Sequence, residues 1–185
     1  MFKGFAIKEL RLPGKDRIIA FDAFDVNRVL VDRAGIRQYN PQRFEMEQLD
    51  AIVYDDSEKN ISVGYKDTTD QEFWVRGHMP GMPLMPGVIM CEAAAQLASY
   101  FVHRHSLLGE GEMLGFGGLE EVRFRETVRP GDRLVIMAQL IKLRRGAMCV
   151  CRFQEFVRET LVCEGLIKGI SLPVEALMQP QSTTA

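Results

Sequence analysis

An α+β architecture, with an antiparallel sheet curved around one long helix, is what this sequence predicts, and three observations carry the prediction. One stretch, from about Gly87 to about Arg104, has apolar residues at helical spacing on two rows and should therefore be a buried helix. Strand-like segments joined by a polar turn precede it. Four strand-like segments separated by turn signals follow it, and consecutive strands around a single helix are best accommodated by a sheet that wraps it.

The helix is justified position by position. Val88, Cys91, Ala95, Ala98 and Val102 recur at steps of three and four, and Met90, Ala94, Leu97 and Phe101 form a second row. Glu92, Gln96, Ser99 and His103 share the remaining narrow face, an unusual polar stripe for a helix expected to be buried. Pro86 and Gly87 suit the start, and His103, Arg104 and His105 suit the end, where cations meet the negative end of the dipole. Ahead of the helix, Arg76 to Pro86 places three prolines, two glycines and one histidine in a stretch that regular structure cannot accept.

In chain order, Leu10 to Lys15 ends in a turn signal, and Ile18 to Asp22 is a short apolar element. Val29 to Asp32 reads as the first strand. Gly35 to Leu49 is polar without a clear period and reads as a loop or a short surface helix. Ala51 to Tyr54 and Ile61 to Tyr65, flanking a polar turn, form a hairpin candidate. After the helix, Gly109 to Gly118 reads as a glycine-rich connection that lacks the flanking strand and helix of a phosphate loop. Leu119 to Val128, Leu134 to Leu143, Met148 to Val157 and Leu161 to Leu172 read as strands, with turns at Pro130-Gly131-Asp132, at Arg144-Arg145-Gly146 and near Arg158. A single domain over 1–173 is expected, followed by a flexible Gln-, Ser- and Thr-rich tail over 174–185.

A length of 185 residues, 46% hydrophobic and 26% charged content, and a net charge of -2 describe an ordinary globular chain with no global pull towards nucleic acid or membranes. No apolar run is long enough to span a bilayer, and the start lacks a signal peptide's apolar middle region, so a cytoplasmic location is expected. Cys91, Cys149, Cys151 and Cys163 have no disulfide or zinc spacing and are expected as small core residues. His103-x-His105 lacks a third ligand nearby and reads as a dipole-capping pair, so no metal and no organic cofactor is expected.

The run His78-Met79-Pro80-Gly81-Met82-Pro83-Leu84-Met85-Pro86-Gly87-Val88 followed by Glu92-Ala93-Ala94-Ala95-Gln96 closely resembles the signature of FabZ-type 3-hydroxyacyl-acyl-carrier-protein dehydratases. Leu30-Val31-Asp32-Arg33, Val122-Arg123-Phe124-Arg125, Val128-Arg129-Pro130-Gly131-Asp132 and Leu143-Arg144-Arg145-Gly146 extend the resemblance over roughly 29–170. It implies the hot-dog fold and dehydration of 3-hydroxyacyl-acyl-carrier-protein to the trans-2-enoyl product in fatty acid biosynthesis. It also implies a homodimer in which His78 of one chain works with Glu92 of the other, and leaves open a trimer of dimers. The chain departs from the family in having Met79 where Phe is usual, in lacking the proline-histidine-arginine segment before the first strand, and in its longer 35–49 stretch.

Each role also has a chemical rationale. A neutral imidazole at His78 suits abstraction of the C2 proton. Glu92, from the middle of a buried helix, suits protonation of the departing hydroxyl, because burial favours a carboxyl able to donate; an ion pair with Arg123 or Arg125 is its structural alternative. The backbone N–H groups of Gly87 and Val88, at the positive end of the helix, suit the charge that develops on the thioester oxygen. Gln96, one turn beyond Glu92, suits orientation of the carboxyl or packing alone, and Met79, Leu84, Met85 and Met90 are candidates for an acyl tunnel. Arginines 123, 125, 129, 133, 144 and 145 suit an acidic carrier protein or a solvated strand face. A hot-dog thioesterase and a catalytically silent acyl-binding subunit are the competing functions.

Overall fold

The structure, a computed structural model, describes residues 16–175, so the turn read near 10–15 and nearly all of the tail lie outside the described residues. A 3-10 turn at Phe21–Ala23 is followed by β1 (Val31–Asp32), α1 (Arg33–Ile36), a second 3-10 turn (Phe44–Met46), β2 (Ala51–Asp56) and β3 (Ile61–Asp67). Then come α2 (Gly87–Arg104), β4 (Glu112–Phe124), β5 (Arg133–Arg144), β6 (Met148–Val157) and β7 (Thr160–Pro173). All seven strands form one antiparallel sheet in the order β1-β2-β3-β5-β6-β7-β4.

The sheet order follows from α2. The chain leaves β3, crosses the sheet as the long helix and returns on the far edge as β4, and the meander β5-β6-β7 fills the space between. The helix terminates as predicted, with His105 at its C-cap. Its residues Met90, Ala93, Ala94 and Leu97 meet Leu134, Ile136, Phe153 and Ile167 from the concave face of the sheet in the main core. Alternate residues of the same strands point the other way: Val63, Tyr65, Val135, Met137 and Phe156 are covered by a strap carrying Ile18, Ile19, Phe21, Phe24 and Val26. That two-sided cover explains why β3 is buried almost throughout, whereas a sheet with one wet face would alternate.

Three expectations need correction. Of Val29 to Asp32, read as the first strand, only Val31–Asp32 is strand, while Ile18 to Asp22, read as a short apolar element, belongs to this strap and runs into the 3-10 turn. Gly109 to Gly118 is mostly strand, because β4 begins at Glu112. The same strand ends at Phe124 rather than Val128, where the Arg125 N–H still reaches the Val162 carbonyl at 2.7 Å. The 35–49 stretch carries the second 3-10 turn, and α1 closes at its start with the Asp32 carboxylate accepting from the Gly35 N–H at 2.9 Å.

Candidate active site

The loop before α2 is held by backbone bonds at both ends. The His78 N–H donates to the Trp74 carbonyl at 2.8 Å, Leu84 N–H donates to the His78 carbonyl at 3.0 Å, and Met85 N–H donates to the Val128 carbonyl at 2.8 Å. The His78–Met79 peptide is cis. His78 is half-buried, and its Nδ1 lies 3.0 Å from the Leu84 carbonyl oxygen. A carbonyl can only accept, so Nδ1 is the donor of this bond, and in the neutral imidazole that tautomer puts the lone pair on Nε2. That is the form in which an imidazole takes up a proton.

Pro86 caps α2 with its carbonyl, which accepts from Ile89 N–H at 2.9 Å and Met90 N–H at 3.2 Å. The N–H groups of Gly87 and Val88 therefore stand ahead of the intrahelical ladder at the positive end of the dipole. The Phe124 ring closes over this turn: a Cβ on Gly87 would lie 2.7 Å from it. Val88 is 73% exposed on the same surface.

One turn further in, Glu92 is half-buried rather than buried, and it lines a cavity of about 180 Å³ with Gln42, Ala95, Ser99, Leu114, Phe116 and Ile167. Its Oε1 accepts from the Gln96 amide at 2.8 Å. The second hydrogen of that amide goes to the Met46 carbonyl at 2.6 Å, and the Gln96 Oε1 accepts from the Gln48 N–H at 2.9 Å. Two backbone groups of the 35–49 stretch thus fix which way the Gln96 amide faces, and it is the NH2 that meets the carboxyl. Asn40 adds a bond from its amide to the Gln96 carbonyl at 2.9 Å. Arg123 and Arg125 are engaged elsewhere, with Glu121 at 3.7 Å and with Glu164.

The structure joins Gln96 to Glu92 by a hydrogen bond, with Glu92 but not Gln96 on the cavity wall, and places Gly87 and Val88 on the same helix, whereas His78 sits on the preceding loop and does not line that cavity in the single chain. The apolar residues read as a tunnel are divided differently: Met85 and Met90 are core, Met79 is 48% exposed, and the cavity wall comes instead from β4 and β7. His103 and His105 have local partners, Ser99 carbonyl at 2.8 Å and the Asp55 carboxylate at 3.1 Å. A larger cavity of about 630 Å³ lies on the other face of the sheet, between the strap and Arg133, and contains none of these groups.

A long helix embraced by an antiparallel sheet defines the hot-dog class. The comparisons agree. The dehydratase heterocomplex ApeI:P from Xenorhabdus doucetiae aligns with a TM-score of 0.63 at 16% identity, covering 78% of this chain and 97% of that one. The E. coli PaaI protein aligns at 0.51 and 17% identity, covering 64% and 80%. Both share the fold, so the predicted α+β hot-dog architecture is met.

A family model described as a FabA-like domain matches residues 40–165. The 3-hydroxyacyl-[acyl-carrier-protein] dehydratase FabZ of Syntrophobacter fumaroxidans is 38% identical over 134 residues, 72% of this chain and 89% of that protein. FabZ of Caldicellulosiruptor saccharolyticus is 35% identical over 140 residues, 74% and 95% of the two chains. The chain belongs to the FabA-like family, on its FabZ branch.

Proposed function

We propose that this chain removes water from 3-hydroxyacyl thioesters carried on acyl carrier protein, as a hydro-lyase of fatty acid biosynthesis. What carries the reading is Glu92, a helix-borne carboxyl held by Gln96 on the wall of a small cavity, in a chain 35–38% identical to FabZ dehydratases. His78 Nε2 takes the proton from C2 and Glu92 gives its proton to the 3-hydroxyl as the C3–O bond breaks. Gly87 and Val88 N–H groups receive the charge that develops on the thioester oxygen, an arrangement worth about 3 to 4 kcal/mol per donor in related chemistry. Water and a trans-2-enoyl thioester leave.

Each site is shared between two copies, His78 of one chain facing Glu92 of the other. Two features support this: His78 does not line the Glu92 cavity of its own chain, and β4 is a 13-residue sheet edge bearing exposed Phe116, Leu119 and Phe124, the last against Gly87. An edge of that length needs a partner. Arg133 is paired with Asp67 and stacked on Tyr65, and Arg125 is paired with Glu164, which leaves Arg129, Arg144 and Arg145 as the arginines offered to an acidic carrier. Four free thiols fit a reducing, cytoplasmic compartment.

Enoyl formation from a 3-hydroxyacyl carrier protein, followed by mass loss of water, tests the reading. His78→Ala and Glu92→Gln should each lower turnover by about 100- to 10,000-fold. Co-refolding the two inactive variants should restore roughly a quarter of parental activity, since one site in each mixed dimer keeps both groups. Turnover in neither the parent nor the mixture would exclude the dehydratase reading, and an active parent without recovery in the mixture would exclude the shared site.

A further inference from the structure

The 35–49 stretch does more than lie on the surface. Arg37 pairs with Glu47, with Nη2 at 2.8 Å from Oε2, and Arg43 reaches back to the carbonyls of Arg37, Asn40 and Gln42 at 3.2, 2.8 and 2.6 Å. The bonds from Asn40, Met46 and Gln48 to Gln96 then fasten the stretch to α2. A segment without sequence periodicity is in this way made rigid over one turn of the helix, the turn that carries Glu92.

Its tip delivers Pro41 and Gln42 to the wall of the Glu92 cavity. The Gln42 side chain is part of that wall, and its Oε1 is closed to solvent and has no hydrogen-bond partner among the described residues. An amide oxygen stripped of water and left unpaired costs roughly 1 to 3 kcal/mol, so it stands as an acceptor awaiting a donor. Asn40 Oδ1 and Gln48 Oε1 are also buried and unpaired, but neither residue lines this cavity. Gln42 combines an unpaired acceptor with a side chain on the wall of the space where Glu92 acts.

We propose that Gln42 is a substrate-positioning residue whose Oε1 accepts a hydrogen bond from the 3-hydroxyl of the substrate, an inference that rests on the dehydratase reading. An acyl chain offers no other donor at that depth. During the reaction the C2 proton passes to His78, the C3–O bond breaks, and the departing oxygen takes the Glu92 proton while keeping its own hydrogen on Gln42. The oxygen leaves as water, carrying its own hydrogen and the one from Glu92, and the bond to Gln42 holds it beside the Glu92 carboxyl as the C3–O bond breaks. Gln42 itself neither gains nor loses a proton.

Binding separates this role from simple wall packing. On a His78→Ala background, which blocks turnover without touching the cavity wall, affinities for 3-hydroxyhexanoyl and hexanoyl thioesters of acyl carrier protein are compared. Gln42→Leu should weaken the hydroxylated ligand by about tenfold and leave hexanoyl binding within about twofold, whereas Gln42→Glu, which keeps an acceptor, should retain most of the discrimination. Equal loss for both ligands, or no loss for either, overturns the proposal, as does a Gln42→Glu variant that binds like Gln42→Leu. Failure of the parent to form enoyl product defeats the dehydratase reading separately, because the preference for the hydroxylated ligand is measured without turnover.

Discussion

Glu155 is the residue whose chemistry is least expected from its position. It lies on β6 opposite Ile136 and Cys163, faces α2, is fully buried, and neither carboxylate oxygen has a hydrogen-bond partner among the described residues. Burial pushes its carboxyl well above the ordinary range, the nearby Cys91 thiol adds to that, and the Cys163 thiol opposes it. The folded chain therefore keeps the proton that the unfolded chain sheds above the model-peptide range. With the folded value raised, the stability is complete at acid pH and falls as pH rises, by up to about 1.4 kcal/mol per pH unit for this one proton. Glu155→Gln, which keeps the shape and cannot ionise, should lose that slope. Urea midpoints of parent and variant at pH 5.5 and 7.5 should diverge, the variant gaining on the parent at the higher pH, and a constant gap would show that Glu155 is already ionised in the fold. Glu92 was legible in the sequence because a carboxyl on a polar stripe follows a motif, whereas Glu155 stood in an alternating strand where a charge reads as solvated. The strap that closes the outer face and the helix that closes the inner one are both remote in sequence.

Elements whose order comes from local pattern were legible, and those whose order comes from distant partners were not. The bounds of α2 and the β2–β3 hairpin followed from periodicity and β-branched content. The first half of β4 was hidden because glycines on β4 and β7 stand where side chains of the neighbouring strand lie: a Cβ on Gly115 of β4 would meet Leu172 at 2.3 Å, and one on Gly169 of β7 would meet Leu114 at 2.5 Å. Such glycines are strand residues whose space is filled by the neighbour. The 35–49 stretch was hidden because its bonds run to α2, and with it the Gln42 wall of the site. Gly64 belongs to the same class. It sits in the middle of β3 opposite Ile52 and Ile136, and a Cβ there would lie 2.8 Å from the Ala51 carbonyl oxygen, 3.3 Å from Ile52 and 3.4 Å from Leu97 of α2. Gly64→Ala should cost about 1 to 3 kcal/mol by urea denaturation. Adding Leu97→Ala should not restore it, since the nearest obstacle is backbone. Recovery in that double variant would mean that the approach of the helix, rather than the packing of β2 on β3, sets the limit.

The whole molecule has two sheet edges of very different character. At β1 the edge is two residues long and is followed at once by α1, so there is little to pair. At β4 it is 13 residues long, twisted by irregular register at Phe116/Gly118 and Glu120/Arg123, and it carries Phe116, Leu119 and Phe124, each at least 40% exposed. An exposed edge of this length and apolarity is where a second copy would add by continuing the sheet. The positive end of α2 lies on the same side, through the contact of Phe124 with Gly87, so a partner seated there would approach the Gly87 and Val88 N–H groups as it closed the edge. With the shared site proposed above, assembly and catalysis would be one event. Leu119 tests the coupling, since it is on the edge and outside the lining of the Glu92 cavity. Leu119→Lys should place a charge in the apolar part of the interface and shift the molecule to monomer in sedimentation velocity, with the far-ultraviolet circular dichroism of the parent. Dehydration should fall with the dimer fraction and recover as protein concentration is raised. Monomers that turn over at the parental rate would place His78 and Glu92 of a single chain in one working site, whereas a variant that stays dimeric would move the interface away from β4.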